Sequence, residues 1–218
     1  MKSDAGTAPG SSRLIYPELP EPLTPADLHR LFSPSFDERG WAPTIARTPY
    51  SQVALLVQLK MFQSIGRFRR AEDIPRVVFE HVARRLGVEL DQHLVNPDRT
   101  LYRHRPVVLK YLGVTPWGGA ARELARSTMI ELARARTDPA ELINAAVDAL
   151  VRNRFELPAL IALRRLAGTA HSAVNAAQWR EVCGALDEKQ RSALAPGSAR
   201  SDRPVAISDR LERLAMGE

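Results

Sequence analysis

The chain has 218 residues, 44% hydrophobic and 26% charged, enough to bury a core without disulfides or metal and too apolar for a disordered or collagen-like class. One cysteine, Cys183, allows no intrachain disulfide, no run approaches 18 apolar residues, and the opening MKSDAGTAPGSS lacks a signal-peptide core. A cytoplasmic protein without a membrane span is therefore expected. The formal net charge of +6 is unevenly placed: residues 51–136 carry 15 basic against 8 acidic residues, whereas 137–218 carry 11 of each. Only Lys2, Lys60, Lys110 and Lys189 among the 31 basic residues are lysines, and arginine's planar fork suits phosphates and base edges.

In chain order, residues 1–13 read as a disordered lead, small and polar with nothing to bury. Helix starts follow at Thr24-Pro25, Thr48-Pro49, Asn96-Pro97, Thr115-Pro116 and Asp138-Pro139. In each a side-chain oxygen can cap an orphan N–H, and proline at the first helical position has no N–H to lose. Asp27 and Glu141 stand where a capping box places its carboxylate. Residues 53–62 (VALLVQLKMF) are apolar nearly all round and predict a central helix. In 74–86, Ile74, Val78, Val82 and Leu86 form one stripe, with Arg76, Glu80 and Arg84 opposite. Further stripes run through Leu124–Ala133 and Leu142–Leu150, and Gly66, Gly87 and Gly113 each close a helix. Residues 107–114 fit a strand or a helix end. The pattern predicts an all-α bundle of about eight helices, with helix-turn-helix-like elements among them. Its expected organisation is a first helical, DNA-binding subdomain over 14–114, a second over 115–194, and a linker with a terminal helix over 195–218.

Three constellations bear on binding. The run Arg99-Thr-Leu-Tyr102-Arg103-His104-Arg105, with Lys110 beyond it, puts guanidiniums one turn apart on a helix beginning at Pro97, where they can meet phosphates or a guanine edge. A solvated basic face is the competing reading. Pro106 is expected to kink or restart that helix. The loop Gly66-Arg67-Phe68-Arg69-Arg70 offers phosphate and stacking contacts, or else Phe68 anchors it in the core. Residues 74–95 fit a helix-turn-helix, as they fit any helical hairpin with a glycine corner. Catalytic and metal arrangements are missing: the five histidines are scattered, and there is no P-loop, GxGxxG or GxSxG. No catalytic residue, metal or cofactor is expected.

LTPADL (23–28), ALLVQLKMFQSIGRF (54–68), IPRVVFEHVARRLGV (74–88), KYLGV (110–114) and NRFELPALIALRRLAGTAH (153–171), in this order, resemble the N-terminal region of Tn3-family transposases. The resemblance implies binding to the transposon's terminal inverted repeats in double-stranded DNA, with the rest of the transposase, including its carboxylate-bearing catalytic domain, as partner. It implies an excised fragment or a truncated relative, and no strand cleavage by this chain. Arg67, Arg69, Arg70, Arg99, Tyr102, Arg103, His104, Arg105 and Lys110 are the expected DNA contacts. A helical dimerisation or assembly module, or a truncated regulator, is the alternative.

Overall fold

A helix with no polar face has only one stable place, inside a bundle, and residues 49–65 take it. The computed structural model describes residues 12–89, 97–135 and 138–185. Among these lie eight α-helices: α1 (Pro25–Phe32), α2 (Phe36–Ile45), α3 (Pro49–Ile65), α4 (Arg76–Leu86), α5 (Pro97–Leu112), α6 (Gly119–Ala133), α7 (Pro139–Arg152) and α8 (Leu160–Ala185), with a 3-10 turn at Ala71–Asp73. The described residues form no strand, only an isolated bridge between Thr115 and Phe155. The all-α expectation holds. The expected cap at Asn96, the second arm of the 74–95 hairpin from residue 90, and the linker and terminal helix beyond 194 lie outside the described residues. So does all but the end of the 1–13 lead.

The chain divides into two compact units, 1–174 and 175–218; the fold and site described below belong to the first. That unit contains two apolar clusters. The first gathers Phe32, Leu55, Leu56, Leu59, Met61, Ile65, Val78, Val82, Leu101 and Val108 around α3, with α1, α2, α4 and α5 packed against it. The second gathers Met129, Leu142, Ile143, Leu150, Leu157 and Leu163 from α6, α7, the 157–159 link and α8, with Leu14 and Tyr16 against it.

Local chemistry sets the helix ends. Thr24 and Asp27 form a reciprocal capping box on α1, and Ser35 and Glu38 form another on α2 that proline spacing did not announce. Thr48 and Asp138 cap α3 and α7 as expected. Glu141 instead accepts a 2.7 Å hydrogen bond from Ser12 Oγ. Thr115-Pro116 does not start a helix: Thr115 pairs with the chain at 154–156, donating to the Arg154 carbonyl and accepting from the Glu156 N–H, both at 2.8 Å. Its backbone is thus engaged elsewhere, and α6 begins four residues later.

At Pro106 the expected restart of the helix does not occur. Residues 97–112 are one uninterrupted helix. Its missing N–H frees the Tyr102 carbonyl, four residues back, and Pro106 and Tyr102 both lie on the exposed side of α5. Water can satisfy a carbonyl there, so the helix runs on.

Candidate nucleic-acid interface

Helix α5 is the centre of the site. Leu101, His104 and Val108 are buried toward α3, at the spacing that makes one helical face. The opposite face exposes Tyr102, Arg103, Pro106 and Lys110. Tyr102 is 71% exposed, unusual for so large an apolar body and suited to stacking. Arg103 and Lys110 make no ion pair among the described residues. The side chain of Arg99 lies outside the described residues.

On one flank of α5 the 66–70 loop forms a cleft of about 570 Å³ with Arg69, Arg70, Tyr102 and Arg105 along it and Gln58 at its floor. Gln58 is buried, and its Oε1 has no partner. Gly66 at φ 70° closes α3 in the left-handed conformation that glycine tolerates. From there Phe68 turns inward, its ring 4.9 Å from that of Phe62, which is the anchoring alternative for this loop. Arg67 lies over the Tyr16 ring at 5.0 Å. Arg70 pairs with Glu72 at 3.3 Å, both exposed, a pair of small energetic weight.

Arg105 is committed elsewhere. It pairs with Glu156 at 3.2 Å and stands 4.7 Å over the Phe68 ring. Glu156 is buried and also accepts from the Trp117 N–H at 3.2 Å. This carboxylate ties α5 to the second apolar cluster.

On the other flank, the α2–α3 corner and α5 enclose a cleft of about 580 Å³. Gln52 Nε2 fixes the corner by donating to the Ala46 carbonyl at 3.0 Å. Arg47 and Arg103 stand at this cleft, and neither has an ion-pair partner among the described residues. His104 is 8% exposed; its Nε2 lies 3.3 Å from Ser51 Oγ and its Nδ1 has no partner. Burial, and then the Arg103 charge, push the His104 pKa below the ordinary histidine value. Burial alone raises that of Tyr50, whose hydroxyl is also buried without a partner.

The structure therefore brings Arg69, Arg70, Tyr102, Arg103 and Arg105 to the outer side of α5 and its flanks, with Lys110 further along. It turns His104 inward and sets Arg67 against Tyr16. Sequence reasoning missed Arg47, Tyr50, Gln58 and Glu156. For the first two a signal existed, since the Thr48-Pro49 cap places them on either side of a helix start. Among the described residues no group of three or more His, Cys, Asp or Glu could hold a metal ion, and no helix is long and apolar enough to cross a membrane.

An arginine-bearing helix held on an all-α scaffold defines the general class. Residues 10–170 match the family described as a domain of unknown function, DUF4158, and the chain belongs to that family. No curated protein matches it.

Proposed function

We propose that this chain binds double-stranded DNA sequence-specifically through the exposed face of α5, recognising transposon terminal inverted repeats as the N-terminal module of a Tn3-family transposase. The observation that carries the reading is the solvent-facing set of Tyr102, Arg103 and Lys110 on one 16-residue helix, the two cations without an ion pair among the described residues. It lies inside the segment that holds the whole positive excess. A helix of that length is about 24 Å long, and the major groove admits one. Arg69 and Arg70 on the neighbouring loop would supply contacts to backbone phosphates, Arg70 by giving up its exposed pair with Glu72. The resemblance to Tn3-family transposases supplies the target, and the chemistry of strand cleavage falls to the rest of that transposase.

The test is a gel shift with a terminal inverted-repeat duplex against a shuffled duplex of equal length. The repeat is expected to shift at lower protein concentration. Equal and weak binding to both removes sequence recognition from the account. The alternative of an assembly module has its own observation: Trp179 and Val182, one turn apart on α8, are 55% and 50% exposed. A concentration-dependent dimer with no DNA binding would favour it.

A further inference from the structure

We propose that the cleft between the α2–α3 corner and α5 is a seat for one phosphate group, held by Arg47, Arg103, Tyr50 and His104 at the N-terminus of α3. The occupant is a DNA backbone phosphate if the DNA-binding reading on which that assignment rests is right. A free phosphate or phosphorylated small molecule has the same chemistry.

Four independent features converge there. Among the described residues no carboxylate lines the cleft, whereas two arginines do, and neither of these has an ion-pair partner there. The head of a 17-residue helix opens onto it, and partial positive charge collects at a helix N-terminus. At that terminus Pro49 has no N–H, Thr48 Oγ1 accepts from the Ser51 N–H at 3.2 Å, and the Gln52 N–H bonds the Thr48 carbonyl. The Tyr50 N–H has no acceptor among the described residues and is left over for a ligand.

The third feature is His104. Its side chain is more than nine-tenths buried, lines the cleft and leaves Nδ1 without a partner. Nε2 lies 3.3 Å from Ser51 Oγ; in the tautomer in which that hydroxyl donates, the ring carries its proton on Nδ1, a donor without an acceptor among the described residues. The Tyr50 hydroxyl repeats the pattern, a buried donor with no partner. Buried polar groups are rarely left unpaired, and here two lie together beside two free guanidiniums. An oxyanion held by the guanidiniums is the acceptor that these two donors would gain by a small turn of their side chains toward the cleft. The cleft on the other flank of α5 differs, because two of its arginines are already paired, Arg70 with Glu72 and Arg105 with Glu156.

The probe is inorganic phosphate titrated into the full chain, followed through the imidazole resonances of His104 and the arginine Nε signals, with circular dichroism checking every variant. A saturable shift at His104 is expected. It should weaken at least about fivefold in Arg47→Ala and again in Arg103→Ala, and Arg47→Lys should retain part of it. A duplex of arbitrary sequence should displace phosphate from His104, and Arg47→Ala should lower the salt slope of DNA binding by about one unit. Phosphate binding that no duplex displaces keeps the seat and assigns it to a small phosphorylated ligand. DNA binding that leaves His104 unmoved and is indifferent to Arg47→Ala overturns the seat while sparing the DNA reading. No saturable response of His104 to phosphate or duplex, in folded protein, also overturns it.

Discussion

Glu38 shows how one side chain can hold two elements. Its carboxylate accepts from the Ser35 N–H at 2.7 Å, from Gln63 at 2.8 Å and from Lys60 at 3.3 Å, joining the head of α2 to α3. Burial alone would raise its pKa, but those hydrogen bonds and the Lys60 charge outweigh it and hold the group below the usual glutamate value. A depressed folded pKa means that the stabilisation is complete above the unfolded value, near 4.3, and is lost as pH falls through the folded one. Glu38→Gln should therefore cost about 2–3 kcal/mol at pH 7, because it strands a nearly buried Lys60. The deficit should shrink below pH 4, as urea melts at the two pH values would show. His104 is linked in a different window. Its folded pKa is also depressed, by burial and then by Arg103, but here the protein favours the neutral form. Stability is full above the unfolded value of about 6.5 and declines as pH falls toward the folded one. Arg103→Ala should raise the His104 pKa, which an imidazole titration reads directly. No change would mean that the Arg103 charge is not felt at the ring.

At the scale of elements, how legible each helix was depended on where its determining contacts lie. The cap and stripe of α3 are local, so TPYSQVALLVQLKMFQSIG displays start, buried face and stop within one segment. Helix α5 was half legible: its basic run was plain, but its continuity through Pro106 depends on that residue facing solvent, a tertiary fact. The false start at Thr115-Pro116 has the same origin, since the chain at 154–156, some 40 residues away, claims the Thr115 backbone. Gly66 combines both kinds of constraint. Its φ of 70° disfavours a side chain, and a Cβ there would lie 2.8 Å from Leu157 Cδ1, while its carbonyl accepts from the Leu157 N–H at 2.9 Å. Gly66→Ala should destabilise by about 1–3 kcal/mol in chemical denaturation. A neutral result would mean that the α3–loop junction relaxes freely.

Across the molecule, the two apolar clusters of residues 1–174 meet along a polar seam. Arg105 reaches Glu156, Glu156 takes the Trp117 N–H, and Thr115 pairs with 154–156. Composition could locate the positive excess but could not sort it, because a charge at position 105 looks the same in sequence whether it faces DNA or a carboxylate 51 residues away. The structure gives Arg105 a carboxylate partner and gives Arg103 none among the described residues. Arg105→Ala should lower stability by about 1–2 kcal/mol, since it leaves the buried Glu156 with one donor fewer. Arg103→Ala should leave thermal stability nearly unchanged. Equal melting temperatures for the two variants would contradict that division of labour.

A salt series on the inverted-repeat duplex tests the proposal that the outer face of α5 reads DNA. Wild type should bind the repeat more tightly than shuffled sequence, with affinity falling as salt rises. Tyr102→Ala should reduce the preference for the repeat, and Arg103→Ala, which removes a phosphate contact, should weaken both duplexes. Lys110→Ala should weaken both duplexes alike and lower the salt slope by about one unit. Folded variants that bind both duplexes with wild-type affinity and slope would contradict the account and remove α5 from the interface.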